Sequence, residues 1–418
     1  MTRIARWNGA KDYDRGHRGV ILGAMTRIGG CLIAGAFAIA ILSGACVTTT
    51  KLDHVVVAYD MTSQESITKL LLLNIARAQH NLPMHFTGIS SVVATYRFTF
   101  SGGVTPAGAG NIGFLPVPNF QATTEENPTV SIAPMQGDEF TQRLLTPFPE
   151  AKLTLLLRQG YDVDTLFRLL GAEVRLATDA AHGVAVSANR PADKAGYTTF
   201  RRVVAHLSSI QDRNSLFVEP LHYQVSWTVP EATVTPEAYA TTYKDFTLAY
   251  DPMNKVYHVT KRINGRVMIT NYDPSILSNE ERFKLHLEAD EVPFNDVLVD
   301  IRAGHTGGEY PMHGTLRLRS FHEVLTFVGR GIGEEPEYDV AADPRTPRIS
   351  ENPARTLDIL VSRTAPGDVS VVLDGYHYSV RAEHGYQWNK KAFSVLYQLF
   401  QMSVSAAEHV GPGITIAK

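Results

Sequence analysis

The sequence contains very little cysteine. Its 418 residues include two, Cys31 and Cys46, and both lie within the first 46 residues. The rest of the chain therefore cannot contain a disulfide framework, a zinc knuckle or a cysteine nucleophile. Three motifs of known chemistry are also absent: the GxSxG elbow of α/β-hydrolases, the phosphate-binding GxxxxGK[ST] loop and the HExxH zinc motif.

The sequence also lacks an excess of positive charge. It has 39 Lys and Arg against 42 Asp and Glu, for a formal net charge of −3. The first 45 residues hold six basic and two acidic residues, so the rest of the chain has 33 basic and 40 acidic residues and a net charge of −7. Nucleic-acid-binding proteins usually carry a basic patch, so we expect no nucleic-acid partner. The composition, 44% hydrophobic and 19% charged, is typical of a folded globular protein.

The N-terminus has the three parts of an export signal. Arg27 precedes an uncharged apolar run over residues 28–42, and three small residues then lead to Cys46. The run is short for a bilayer span, which needs about 20 apolar residues. We therefore interpret residues 1–45 as a signal peptide. Met25 begins a second Met-Thr-Arg-Ile sequence, and it is an alternative start of the chain.

The residues before Cys46 resemble the bacterial lipobox, in which the cysteine becomes the first mature residue and carries acyl chains. The lipobox prefers leucine three places before the cysteine, whereas Ser43 stands there and Leu42 is one place further back. We predict that Cys46 is lipidated; plain secretion after cleavage, or an uncleaved anchor, is the alternative. Each buried methylene contributes about 0.8 kcal/mol to anchoring. The resemblance also implies the outer membrane, because Val47 replaces the aspartate that favours inner-membrane retention.

The remaining chain has the sequence pattern of an α+β protein, with antiparallel sheets and hairpins and short amphipathic helices packed on them. After a lipidated tether over residues 46–61, we predict a helix-rich subdomain over 62–215 and a strand-rich subdomain with a C-terminal helix over 216–418. Residues 101–128 are rich in Gly and Pro and are predicted to form a long surface loop. Residues 333–355, which are acidic and rich in proline, are predicted to form an exposed loop.

Local signals predict where several helices and turns lie. Capping-box spacing in Thr62 with Glu65 and in Ser320 with Glu323 predicts the start of a helix at each pair. The first pair predicts a helix from about residue 63 to 80. Asn-Gly at 264–265 and Asp-Gly at 374–375 predict hairpin turns. Apolar residues at helical spacing predict a last helix over about 389–402.

The densest group of polar and aromatic residues lies near the C-terminus. It comprises Tyr376, His377, Tyr378, His384, Tyr386 and Trp388. Tyr and Trp are favoured at protein interfaces, so this group is a candidate interaction surface. The alternative is that the group belongs to the core, where the hairpin packs on the last helix.

A second segment raises the question of a metal site. His305 and His313 bracket Glu309 in a glycine-rich stretch. This spacing matches no known pattern of metal ligands, and a glycine-rich turn is the simpler interpretation. We predict no metal site, no cofactor and no catalytic residue.

Three segments are similar to an uncharacterised family of proteobacterial envelope lipoproteins. They begin LLLNIARAQ, NPTVSIAPM and DGYHYSVRA, and they span residues 71–96, 127–149 and 374–402. The resemblance implies export and a shared fold. It implies no activity, and it identifies no catalytic residue.

The sequence therefore favours an exported lipoprotein with a non-catalytic interaction or scaffold role in the cell envelope. Its expected partners are the membrane, through the lipid anchor, and other envelope proteins. It is expected to face the periplasm from the outer membrane. The alternative is an envelope hydrolase acting on peptidoglycan, glycan or lipid. A deep pocket with converging titratable groups would favour the hydrolase, and an apolar interaction patch would favour the scaffold.

Overall fold

The computed structural model describes residues 57–107, 115–178, 183–235, 237, 241, 246–364, 369–383 and 387–404. The chain divides into two units, Met1–Ile67 and Thr68–Lys418. Within the described part of the chain, no helix combines the length and the apolar character that crossing a membrane requires. The predicted signal peptide, Cys46 and the tether as far as residue 56 lie outside the described residues.

Helices and strands alternate along the described chain. The helices are α1 (57–79), α2 (Asp138–Leu145), α3 (Glu150–Arg158), α4 (Val163–Leu170), α5 (Lys194–Asp212), α6 (Asn279–Asp290), α7 (Phe321–Ile332) and α8 (Trp388–Val404). The strands are β1 (Phe86–Ala107), β2 (Leu115–Met135), β3 (Gly171–Ala177), β4 (Val184–Ala188), β5 (Phe217–Pro230), β6 (Thr247–Asp251), β7 (Val256–Thr270), β8 (Asp296–Ile301), β9 (Met312–Leu318), β10 (Ile359–Ser362), β11 (Val371–Leu373) and β12 (Tyr376–Val380).

The largest sheet has seven strands. Its order is β4-β3-β9-β8-β7-β5, and β6 pairs with the first part of β7. The neighbouring strands are antiparallel except β7 and β8, which are parallel. All six residues of β8 are buried, as expected for a strand covered on both faces. A three-stranded sheet, β10-β12-β11, and the β1–β2 hairpin complete the strand pairing that the structure describes. The predicted α+β fold, with antiparallel sheets, hairpins and packed helices, is confirmed.

The large sheet extends across the subdomain boundary that we predicted between residues 215 and 216. Strands β3 and β4 precede this boundary, and they join β8 and β7 through β9. The division into residues 62–215 and 216–418 therefore does not follow the sheet. Long-range strand pairing leaves no mark in local composition, which is why the sequence suggested two parts.

The core lies where the helices cover one another and the sheet. All eight residues of α4 are buried, and α5, α7 and α8 each bury a broad face. Aromatic rings join several elements: the ring of Phe86 lies 5.2 Å from that of Phe400, 5.9 Å from that of Phe140 and 6.3 Å from that of Phe321. These contacts fix the start of β1 to α8, α2 and α7.

The two predicted capping boxes had different outcomes. Ser320 accepts a hydrogen bond from the backbone of Glu323, whose carboxylate accepts from the backbone of Ser320, so this box is confirmed. The prediction for Thr62 is wrong, because α1 has already begun at residue 57. The Thr62 hydroxyl instead donates to the carbonyl of Ala58 one turn earlier, at 2.8 Å. A Thr–x–x–Glu pattern inside a helix has the same spacing as one at its start.

The two predicted hairpin turns also differed. Asp374 and Gly375 have φ angles of 49° and 79° between β11 and β12, so this turn is confirmed. The turn predicted at 264–265 is wrong, because β7 runs through it. Gly265 lies instead at a β-bulge, where a Cβ would come within 3.0 Å of the carbonyl of Leu221 on β5. The glycine therefore permits a close approach of two strands.

Residues 101–128, predicted to form a loop, are strand residues wherever the structure describes them. Residues 101–107 continue β1 and residues 115–128 belong to β2, and the two segments pair with each other. The residues 108–114 between them lie outside the described part of the chain. The high Gly and Pro content of the segment suggested a loop, because these residues are common in turns.

Candidate functional site

The predicted C-terminal surface is divided between the core and the exterior. Tyr378 is 1% exposed, and its hydroxyl lies 2.9 Å from Nε2 of His80. Trp388 is 3% exposed, and its Nε1 donates to the carbonyl of Thr356 at 2.9 Å. Tyr376 is exposed on the same hairpin as Tyr378. Tyr378 and Trp388 therefore pack as core residues, the alternative that we considered for this group.

The other members of that predicted surface add little to it. His377 is half-buried, and its Nδ1 is buried without a hydrogen-bond partner. His384 and Tyr386 lie outside the residues that the structure describes. The described members do not form one continuous exposed patch, because Tyr378 and Trp388 are buried.

The second histidine of the glycine-rich stretch lies in an ionic cluster. Nε2 of His313 is 2.6 Å from a carboxylate oxygen of Glu288, and Nδ1 is 3.2 Å from Asp300. Asp300 also accepts hydrogen bonds from the hydroxyl of Tyr272 at 2.5 Å and from Nε of Arg302 at 2.7 Å. Strands β8 and β9 bring Asp300 and His313 into register, and α6 supplies Glu288.

Charge in this cluster holds the histidine in its protonated form. Hydrogen bonds to Asp300 and then to Glu288 raise the pKa of His313 to about 10. Burial raises the pKa of Asp300, but its bonds with His313, Tyr272 and Arg302 outweigh this and lower it. An imidazolium with both N–H groups bonded to carboxylates cannot accept a proton from a substrate. The cluster therefore joins α6 to β8 and β9 through charged hydrogen bonds.

His305, the first histidine of that stretch, belongs to no group of potential metal ligands among the described residues. The ring of His305 is 5.3 Å from that of Tyr272, and Gly304 and Gly307 have φ angles of 85° and 84°. The stretch is thus a turn between β8 and β9 that needs glycine at two positions. Among the described residues, no group of three or more His, Cys, Asp or Glu could hold a metal ion.

One cleft, of about 450 Å³, lies between β5, β7 and α6. Its charged and titratable lining residues are Glu219, His222, Arg262, Asp273 and Arg282. Asp273 accepts a hydrogen bond from the backbone of Ser275 at 2.8 Å, which lowers its pKa. Asp273 is therefore a carboxylate at neutral pH. A smaller cleft, of about 390 Å³, lies beside α7.

The β1–β2 hairpin is the most unusual feature of the described structure. Its strands form 21 residue pairs, with one bulge between Ile89 and Ser91. Strands in globular proteins usually have about 3–10 residues. Neither β1 nor β2 pairs with any other described strand. Each strand therefore has a long outer edge of backbone N–H and C=O groups that no described strand pairs.

Proline distinguishes the two edges of this hairpin. Strand β2 contains four prolines, at 116, 118, 128 and 134, whereas β1 contains one, Pro106, near the end of the strand. Residue pairs along an antiparallel ladder alternate between two classes, and all five prolines belong to pairs of the same class. Because proline has no N–H to donate into the ladder, this is the class whose nitrogens point outward. The outer edge of β2 thus lacks four outward donors, and that of β1 is continuous from residue 86 to 105.

Comparison of the chain with known protein families, with curated proteins and with solved structures finds no match in any of the three. The features that bear on function are therefore those of the molecule itself. They are the predicted signal peptide, the edge of β1 that no described strand pairs, and the two clefts.

Proposed function

We propose that this chain is an exported lipoprotein of the cell envelope that acts as a non-catalytic scaffold by associating with a second copy of itself. The observation that carries the proposal is the unpaired edge of β1 in a hairpin of 21 residue pairs. The export signal and Cys46 support placement in the envelope, anchored by acyl chains and facing the periplasm.

Physical reasons favour a partner for this edge. A lone two-stranded hairpin is at best marginally stable in water, and a long exposed edge is a template for further strand pairing. A second copy offers an edge of the same length, also free of proline from residue 86 to 105. Antiparallel pairing of the two β1 edges would give a four-stranded sheet in the order β2-β1-β1-β2.

The size of this contact is compatible with a stable dimer. An antiparallel overlap of residues 92–104 brings seven outward-facing residues of each copy together and forms about 14 backbone hydrogen bonds. At a net value of about 0.5–1.5 kcal/mol each, they contribute roughly 7–21 kcal/mol. Association costs about 4–15 kcal/mol in lost freedom of motion. The two ranges overlap, and the upper part of the favourable range exceeds the cost.

The hairpin offers a matched pair of variants to test this. Ala94 on β1 and Ala122 on β2 both belong to the alternation class whose N–H points outward. We expect the purified chain to be a dimer by sedimentation. Ala94→Pro should weaken the dimer by at least tenfold in dissociation constant, because it removes a donor from each paired edge. Ala122→Pro changes the opposite edge and should leave the dimer intact.

Two results would overturn the self-association. The first is an unmodified chain that sediments as a monomer at every concentration. The second is an equal loss of association in both variants, which would show that β1 has no special role. Circular dichroism of both variants establishes that the fold is retained.

Anchoring is tested separately. Replacing Cys46 by Ser should abolish labelling by a palmitate analogue and release the chain from the membrane fraction. Unchanged labelling in the variant would show that Cys46 is not the acylated residue. This result is independent of the state of association, so the two parts of the proposal can fail separately.

A further inference from the structure

The smaller cleft carries an excess of positive charge. It lies between α7 and the turn after β4, and its charged and titratable lining residues are Arg190, Arg319, His322, Glu323, Arg330 and Glu335. Arg190 forms a two-pronged ion pair with Glu335, with an Nη2 to Oε1 distance of 2.6 Å. Glu323 is used by the capping box of α7. Neither carboxylate therefore pairs directly with Arg319 or Arg330.

Arg319 is the unusual member of this group. It is 6% exposed, and no carboxylate of a described residue pairs with it. Its Nη1 donates to the carbonyls of Arg168 and Leu169, and its Nη2 donates to the carbonyl of Asn189 at 2.7 Å. Its Nε–H donates to none of the described residues. Burial lowers the pKa of Arg319 to about 10, so the guanidinium is still charged at neutral pH.

A buried charge with no direct ion pair is costly, because the water around it is removed. Glu323 and Glu337 attract Arg319 only at a distance, and they raise its pKa by less than burial lowers it. The backbone carbonyls satisfy hydrogen bonds but carry only partial charge. An anion in the cleft would supply the missing charge, and the Nε–H would be available to it. Arg330 is exposed on α7, and its side chain has no hydrogen-bond partner among the described residues, so it would supply a second cation.

Four of the remaining lining residues are apolar, and Asn189 and Thr326 are polar. The guanidinium of Arg319 stacks over the ring of Phe327 at 4.0 Å, and Ala172, Ala188 and Pro191 also line the cleft. We propose that this cleft binds the carboxylate or phosphate head of an amphiphilic molecule, with the head at Arg319 and Arg330 and the hydrocarbon part against Phe327. This site is independent of the hairpin and of the proposed self-association.

Decanoate is a suitable probe, because it combines one carboxylate with an alkyl chain. By calorimetry we expect saturable binding of decanoate and none of decanol, which lacks the charge. Arg330→Gln should weaken decanoate binding by at least fivefold. Arg158→Gln is the matched control, because Arg158 is also an exposed arginine in the last turn of a helix, α3, and lies outside the cleft.

A second variant tests the apolar half of the site. Phe327→Leu keeps an apolar side chain but removes the ring beneath the guanidinium, and it should also weaken decanoate binding. Thermal melting of each variant shows whether the fold is retained. No saturable binding of decanoate, or equal affinities in the Arg330 and Arg158 variants, would overturn the proposal.

Experiments with vesicles distinguish a lipid headgroup from a soluble amphiphile as the source of the anion. The Cys46→Ser chain is used here, so that an acyl anchor does not contribute. Binding to phosphatidylglycerol vesicles that decanoate displaces, with none to phosphatidylcholine vesicles, would assign the site to a lipid headgroup. Decanoate binding without vesicle binding would assign it to a soluble amphiphile. Vesicle binding that the Arg330→Gln change leaves unaltered would contradict a role for this cleft in lipid recognition.

Discussion

Asn352 should be one of the most sensitive single positions for stability. It lies in the irregular segment between α7 and β10, where its Oδ1 accepts hydrogen bonds from Arg168 on α4 at 2.6 Å and from Arg201 on α5 at 3.0 Å. Its Nδ2 donates to the carbonyl of Val340 at 2.7 Å. Both arginines are buried, so the loss of this amide leaves two buried cations each short of an acceptor.

The magnitude follows from these three bonds. A hydrogen bond from a charged donor contributes about 1.5–3 kcal/mol, and a neutral one about 0.5–1.5 kcal/mol. The arginines keep other acceptors, including the carboxylate of Asp164 for Arg168 and the carbonyl of Ala354 for Arg201. We therefore expect Asn352→Ala to lower the free energy of unfolding by about 3 kcal/mol, near the low end of the summed range.

Urea denaturation followed by circular dichroism measures this change. The midpoint should fall while the slope of the transition is unchanged. Asn254→Ala is the control, because Asn254 lies in an exposed turn and its Nδ2 donates to Asp251 at 2.7 Å. Its cost should stay below about 0.5 kcal/mol. If Asn352→Ala costs no more than Asn254→Ala, the segment is not held by the buried arginines.

Three further predictions concern other parts of the molecule. Protonated His313 stabilises the fold, because its pKa is raised to about 10. This contribution is complete below the ordinary pKa of 6.5 and decreases as pH rises toward 10, so His313→Gln should lower Tm most at pH 6 and least at pH 10. An equal loss of Tm at both pH values would contradict this. Trp388→Phe leaves the carbonyl of Thr356 without its donor and should cost about 1–3 kcal/mol in a urea titration; no change in midpoint would refute it. A chain ending at Gly385 lacks α8, which buries Phe393 and seven other residues, and it should be insoluble or sensitive to protease; a soluble product with an unchanged Tm would show that α8 is peripheral.

Local signals in the sequence were sufficient for some elements of the fold. Pro147 and Pro149 follow Leu145, the last residue of α2, and a proline cannot continue a helix. The capping box at Ser320 and the turn at Asp374 also depend on neighbours within a few residues. Where the conformation of a residue depends on a distant partner, the same signals gave a wrong prediction. Gly265 resembles a turn glycine, and only its contact with β5 shows otherwise.

The candidate sites were less predictable than the fold. Residues 333–355 look like an exposed loop because they are acidic and rich in proline, and they do form irregular structure. Yet Asn352 of this segment bonds with Arg168, 184 residues earlier in the chain. Tyr378 and Trp388 are of residue types that are favoured at interfaces, but both are buried. Tyr378 is hydrogen-bonded to His80 and Trp388 to Thr356. A high Gly and Pro content is usually a sign of a loop, so it gave no indication that residues 101–107 pair with residues 115–121.

The prolines of β2 have a consequence for how large an assembly can become. A chain that exposed two equally competent edges could add copies without limit, and in the confined volume of a cell compartment it would form fibres. An edge that lacks a donor at positions 116, 118, 128 and 134 is a poor template for such growth. In the proposed self-association the two strands of one hairpin would thereby differ in valency, and backbone chemistry rather than the shape of a side-chain interface would limit the number of subunits.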